Sequence, residues 1–416
     1  MKTIIQKMTL PLLLSISIHA YSLDISDSVQ LHGFVSQGYM LSPDNPFSGT
    51  KAEDGSFEFR ELGLNASWEA TPKLRFAGQV LSRTMDEASD GSLKVDFLLA
   101  DYLAYSNATT SFGVRVGRIK SALGLYNSTR DIPSSRPGIS VPNAIYFDAF
   151  RDPLLATDGI NLYGSHISEL GLFSFNAYAG GRELEGLSME NYLLGKDVEG
   201  EVKNVELKIF QLTFKPESEH DLNFGLSFLQ VNTKLSGAQS VTKAKTQSVL
   251  DSLAGTPFDY RNYITGGALD SLFVIASAQY GYQDWLFTAE YLNIFSDITN
   301  EVLGNEVIND PVSEAFSIQA EWFTTPQIQT LIRYEELYLV NNNRSYSTVA
   351  RPTDIYSGYG RGLTLGAKWL FDENWTLRGE MTVNDGTAWI PIYDGIGDVE
   401  LKEHWNTYGL QLTYQF

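Results

Sequence analysis

Cysteine is absent from all 416 residues, and its absence excludes a disulfide framework, a thiolate metal centre, an iron–sulfur cluster and a cysteine nucleophile. Basic side chains are scarce. Thirty Lys and Arg face 50 Asp and Glu, a formal net charge of −20, so the chain lacks the basic face that nucleic-acid binding needs, and no nucleic-acid partner is expected. Long apolar runs are missing too: mean hydropathy is −0.15, and no segment has the roughly 18 consecutive apolar residues of a membrane-spanning helix. The five histidines give no ligand set, since His32, His166, His220 and His404 are scattered without metal-ligand spacing. Neither H-E-x-x-H nor G-x-S-x-G occurs. Gly358-Tyr359-Gly360-Arg361-Gly362 precedes a strand pattern rather than a helix, which argues against a nucleotide loop. No metal, cofactor or catalytic residue is therefore expected. What the chain holds in quantity is Phe (23), Tyr (22), Trp (7) and Gly (35), a composition of strands rather than of a disordered acidic chain.

Residues 1–22 read as a secretory signal: Lys2 and Lys7 form a positive start, an apolar stretch follows from Leu10 to Ile18, and Ala20 and Ser22 offer small residues for cleavage. Pro11, Ser15 and Ser17 interrupt a segment that is also too short to span a bilayer. Its loss removes two lysines, taking the net charge from −20 to about −22, and leaves 23–416 as one exported domain.

From there one pattern repeats. Apolar and polar residues alternate in segments of about ten, the length at which a tilted strand crosses a hydrocarbon layer. Sixteen such segments occur: 29–40, 57–68, 74–83, 93–105, 110–118, 158–165, 171–180, 202–214, 221–231, 271–282, 285–296, 313–323, 328–339, 361–371, 375–385 and 405–416. Every second connection is tight (69–73, 106–109, 166–170, 215–220, Tyr282-Gln283, 324–327, 372–374). The others are long (41–56, 84–92, 119–157, 181–201, 232–270, 297–312, 340–360, 386–404). This asymmetry predicts an all-β transmembrane antiparallel β-barrel of 16 strands, with short periplasmic turns and long extracellular loops; a soluble sandwich has no reason for it.

Hairpins paired as tightly as their turns allow test the faces. Setting Trp68 against Leu74, Phe214 against Leu222, Trp322 against Ile328 and Trp369 against Trp375 gives one apolar and one polar face each time. In a barrel this wide, side chains do not fill the interior, so the polar face should line water. The apolar face, with Leu212, Phe224, Ile318, Ile332, Leu363 and Met381, should meet lipid. Trp68, Tyr105, Phe214, Tyr280, Trp285, Trp322, Trp369 and Trp375 all lie near tight turns, as an interfacial aromatic ring would. The chain ends with Tyr408, Leu410, Leu412, Tyr414 and Phe416 at alternate positions, which looks like the assembly signal of outer-membrane barrels.

With these features the chain resembles the Gram-negative outer-membrane porin superfamily. A narrower likeness lies in Gly117-Arg118-Ile119-Lys120-Ser121-Ala122-Leu123-Gly124-Leu125-Tyr126-Asn127-Ser128-Thr129-Arg130-Asp131, which is similar to the strand-to-loop junction of the phosphate-selective group. The resemblance implies a homotrimer of water-filled channels in the bacterial outer membrane, each narrowed by its third loop, about 119–157, folding inward. Outer-membrane lipid, lipopolysaccharide and small hydrophilic solutes are then the expected partners.

A pore selects by width and charge rather than by bond chemistry. The ionisable candidates on the water-facing phase are Arg75, Arg83, Arg115, Glu290, Glu321, Arg333, Lys368, Arg378 and Glu380, with Arg118, Lys120, Arg130, Asp131, Arg136 and Arg151 at the constriction loop. That loop has a net charge of +1, against −4 for 181–201 and −3 for 386–404. A passive diffusion channel, neutral to anion-preferring at its constriction, is the leading expectation. A barrel with a surface or adhesion role, or a barrel hydrolase, is the alternative.

Overall fold

Alternating side chains serve two environments at once, and a closed sheet lets every strand do so without an unpaired edge. The computed structural model describes residues 23–47, 55–85, 89–146, 151–183, 204–235, 264–302, 305–341, 354–390 and 400–416. Sixteen long strands form the wall of one antiparallel barrel. They are β1 (Val29–Leu41), β2 (Arg60–Thr71), β3 (Leu74–Thr84), β4 (Asp90–Ser106), β5 (Thr110–Lys120), β6 (Ala156–Ser168), β7 (Gly171–Glu183) and β8 (Asn204–Pro216), followed by β9 (Asp221–Leu235), β10 (Ile264–Tyr282), β11 (Trp285–Val302), β12 (Val312–Thr325), β13 (Ile328–Tyr338), β14 (Tyr359–Leu370), β15 (Trp375–Gly386) and β16 (His404–Gln415). The last strand closes on the first, with Tyr408 opposite Leu41 and Gln415 opposite Phe34. A short strand Leu23–Ser26 pairs with the start of β1, and another, Asn305–Asn309, folds back on the end of β11. The expected signal lies outside the described residues, as do Lys243 to Leu253 of the expected 232–270 loop. β10 and β11 run to 19 and 18 residues, so the loops on that side begin later than the alternation suggested.

The four tight registers need correction. Trp68 faces Phe76, Phe214 faces Phe224, Trp322 faces Thr330 and Trp369 faces Leu377, each two residues from the tightest pairing. Turn chemistry takes up the extra chain. Thr71 and Thr325, each followed by a proline, adjoin β-bulges, and their hydroxyls accept from the amides of Lys73 and Leu74 and of Gln327 and Ile328. A shift of two keeps every side chain on its face, because the strand period is two. Ile318 thus faces Tyr334, and Leu363 faces Val383, still on the apolar side. Leu212, Phe224, Ile318, Ile332, Leu363 and Met381 are all exposed on that outer face. Near the tight turns the aromatics pack together: Trp285 stacks on Trp322 at 5.5 Å and Phe173 on Phe214 at 4.4 Å, while Trp375 meets Tyr414 tilted at 4.9 Å.

The interior is not polar throughout, which corrects a second expectation. Leu207 and Ile209 on β8, Leu229 and Val231 on β9, Phe273 and Ile275 on β10 and Leu292 and Ile294 on β11 are buried. They pack with Ile119, Leu123, Tyr126, Val141, Ile145 and Tyr146. A segment that leaves β5 covers this part of the wall and takes it out of water, each such side chain contributing about 1.5–3 kcal/mol.

Candidate functional site

The segment between β5 and β6 (121–155, described to 146 and from 151) begins with a turn that only glycine can make. Gly124 has φ +58°, and a Cβ there would lie 2.1 Å from the Tyr146 hydroxyl. Three prolines (Pro133, Pro137, Pro142) then keep the segment from forming a long helix. Among its described residues only the short turns Pro133–Ser135 and α1 (Arg151–Leu155) are regular. Its buried backbone amides must therefore find partners outside the segment, and the inward side chains of the wall provide them.

Four wall glutamates receive these donors. The Leu125 amide and the Tyr146 hydroxyl donate to Glu290 on β11 at 2.9 and 2.8 Å. The Ala144 amide donates to Glu335 on β13 at 2.8 Å. The Ile139 amide and Ser140 hydroxyl donate to Glu380 on β15 at 2.9 and 2.6 Å. Arg136 forks onto Glu61 on β2 at 3.2 and 2.5 Å. Gln211 on β8 donates to the Gly124 carbonyl at 2.8 Å, and Arg333 on β13 donates to the Ser140 hydroxyl and carbonyl at 2.9 and 3.2 Å. Burial, reinforced by the charge of Glu290, pushes the Tyr146 phenol well above its usual value, so it remains a donor.

The base of the segment is closed by ions. Lys120 bonds both Asp96 and Asp131, and Arg151 bonds Asp131. Burial opposes the charge of Asp131, but Arg151 and Lys120 outweigh it and hold the carboxyl below the usual range. A depressed pKa contributes stability above the unfolded value of about 3.9, lost only as pH falls through the lower folded value. Asp131→Asn should therefore lower the thermal midpoint clearly at pH 7 and progressively less in acid. Equal destabilisation at every pH would remove the ionic role.

The other expected residues are placed as follows. Arg75 and Arg115 share Asp101 at 3.6 and 3.0 Å, with the Arg115 guanidinium 4.0 Å from the centre of the Tyr163 ring, and Arg83 lies 3.6 Å from Glu61. Glu321 is buried and accepts from Gln319 at 2.7 Å, and Arg130 donates to the Tyr146 carbonyl at 2.9 Å. Lys368 stands directly opposite Arg378, which is buried beside Gln411 with no hydrogen-bond partner for its guanidinium.

Arg118 is a correction. It shares the outward phase of Val116, pairs across the sheet with exposed Leu98, and bonds Asp158 at 2.7 Å, so it stands on the outer surface and away from the loop. Of the scattered histidines, His404 meets Asp385 and Glu403, with one ligand atom from each lying within 4.8 Å of the others. Of the terminal residues, Tyr408, Leu410 and Leu412 are exposed, Tyr414 packs on Trp375, and the Phe416 carbonyl accepts from Gly33 at 3.0 Å. Glu61, Asp96, Asp101 and Glu335 were missed by the sequence reading. The first three lie inside alternating segments among apolar neighbours, and that phase was the available signal.

Between the segment and the wall a cavity of about 420 Å³ is lined by Ile132 and Ser134 on one side and by His32, Asn65, Gln79 and Phe416 on the other. No family model matches the sequence, and no curated protein matches it. Solved structures do. An anion-selective porin from Comamonas acidovorans superimposes with a TM-score of 0.54 at 12% identity, covering 94% of this chain and 99% of that one. This is the fold of outer-membrane porins. The outer membrane channel DcaP of Acinetobacter baumannii shares it (TM-score 0.53, 12% identity, 96% and 100% coverage), as does OmpT of Vibrio cholerae in its trimer form (0.51, 13%, 94% and 99%). Exposed apolar side chains on the outer face of a closed barrel suit lipid, where only structures that satisfy their whole backbone internally can span.

Proposed function

We propose that the protein is a porin: a water-filled channel for passive diffusion of small hydrophilic solutes and ions, neutral to weakly anion-preferring, and a homotrimer seated among lipid and lipopolysaccharide. The observation that carries this reading is a wide barrel whose segment 121–155 is pinned to the wall glutamates, with a recess left beside β1 to β3. The trimer rests on likeness to the V. cholerae protein, described in a trimer form. Likeness in fold to porins supports a channel over a barrel hydrolase or a surface-structure role.

Selectivity follows from which charges a permeating ion meets. Lys120, Arg136 and Arg151 are each bonded to a carboxylate and mostly buried, whereas the Arg75 side chain keeps 49% of its surface exposed. Acidic groups more than one Debye length from a permeating ion, about 8 Å at physiological ionic strength, are screened from it. In planar bilayers under a KCl gradient, a small reversal potential of anion-preferring sign is expected, moving toward zero in Arg75→Gln. Strong cation selectivity unchanged by Arg75→Gln, Arg130→Ala and Arg136→Ala would reject the constriction argument. Absence of conductance would favour a surface role, and hydrolysis of phospholipid or peptide would favour an enzyme.

A further inference from the structure

β15 ends at Asp385 and Gly386, and β16 begins at His404 directly opposite Asp385. The loop between them is drawn shut by the Gly386 amide donating to the Glu403 carbonyl at 2.8 Å and by the Trp405 indole donating to the Gly386 carbonyl at 2.9 Å. Both Asp385 and His404 fall on the outward phase at the long-loop rim, and the His404 side chain is 77% exposed. His404 Nδ1 stands 3.1 Å from Asp385 Oδ1, and Nε2 stands 3.8 Å from Glu403 Oε2.

Each carboxylate is held by its other oxygen. Arg361 donates to Asp385 Oδ2 at 3.0 Å, and the Tyr359 hydroxyl donates to Glu403 Oε1 at 2.6 Å. Arg361 is itself fixed by the Tyr338 hydroxyl at 3.2 and 3.1 Å and lies over the Tyr359 ring, 5.1 Å from its centre. The remaining oxygen of Asp385, Oδ1, is buried and accepts no hydrogen bond. Two carboxylates oriented from behind and converging with an imidazole are the arrangement by which outer partners orient metal ligands.

We propose that Asp385, Glu403 and His404 bind one zinc-class divalent ion at the outer rim. An imidazole beside two carboxylates suits zinc, whereas calcium takes six to eight oxygens and gains little from nitrogen. Tetrahedral ligands at about 2.0–2.1 Å from the ion stand roughly 3.3 Å apart; the three ligand atoms here lie within 4.8 Å of one another, so binding would draw the exposed His404 side chain inward. With Arg361 counted and the imidazole neutral, the cluster carries one net negative charge, which attracts a divalent cation without a large acidic field. The bound ion would join the two ends of the loop 387–403 and fix the seam between β15 and β16. Three protein ligands leave one position for water.

The test uses the folded full-length barrel in detergent, titrated with zinc against a chromophoric chelator. One zinc per chain is expected, with a rise in thermal midpoint. His404→Ala and Asp385→Asn should each weaken binding at least about tenfold, and Tyr359→Phe, which removes only the hydrogen bond behind Glu403, by about tenfold. Glu314→Gln, a rim carboxylate bonded to Tyr291, should change nothing, and excess calcium should not displace zinc. Circular dichroism of each variant establishes that the barrel has folded. Binding that survives His404→Ala and Asp385→Asn in folded protein, or displacement by calcium, would overturn the site and leave His404 and Asp385 as an ion pair only.

Discussion

Glu290→Ala should raise single-channel conductance and make the third loop accessible to protease, the largest functional change expected from one substitution in the wall. Glu290 is 3% exposed. It accepts from the Leu125 amide, the Tyr146 hydroxyl and the Ser277 hydroxyl at 2.8–2.9 Å. Alanine leaves the Tyr146 and Ser277 hydroxyls without that acceptor, and the Leu125 amide keeps only the Tyr146 oxygen at 2.7 Å, in a region where Leu123, Ile275 and Leu292 are buried. Each buried unsatisfied donor costs about 1–3 kcal/mol, and the cheapest relief is for the loop to leave the wall and let water in. Because Gly124 stands at the same contact, the loop would detach from its first turn onward. Glu290→Gln, which keeps an acceptor oxygen, should give an intermediate phenotype. Unchanged conductance and unchanged proteolysis in the alanine variant would mean that the apolar contacts alone seat the loop.

Ile318→Lys should impair folding into lipid by about 2–4 kcal/mol, the cost of a charge on the lipid face at mid-bilayer. Ile318 is 52% exposed on the outer face, beside Ala289 on β11 and Tyr334 on β13, away from either rim. A neighbour of opposite phase is the control: Gln319 faces inward and packs against Tyr126 and Glu321, so Gln319→Lys places its charge among polar groups and should fold far better in lipid. The comparison is read as the fraction folded in vesicles across a urea series. If the two lysines behave alike, or if Ile318→Lys is tolerated in full, the assignment of faces is reversed.

The strand count, the order of short and long connections, and the outward face of Leu212, Phe224, Ile318, Ile332, Leu363 and Met381 were legible in the sequence. All three follow from a period of two, which is a local property of the backbone and survives any register. The register itself was not legible: the Thr-Pro pairs at 71–72 and 325–326 make bulged turns that use two more residues, and a shift of two leaves the hydrophobic pattern unchanged. The third loop was visible only as a long connection of mixed charge. That its donors meet Glu61, Glu290, Glu335 and Glu380 depended on the closure of the barrel, which brings β2, β11, β13 and β15 around one segment despite separations of 75 to 241 residues. The pairing of β15 with β16 turned His404, with no ligand spacing along the chain, into the neighbour of Asp385. Period is written residue by residue, but a pairing between distant residues costs chain entropy that only the completed sheet offsets, so partners across the lumen and across the rim were decided by tertiary structure alone.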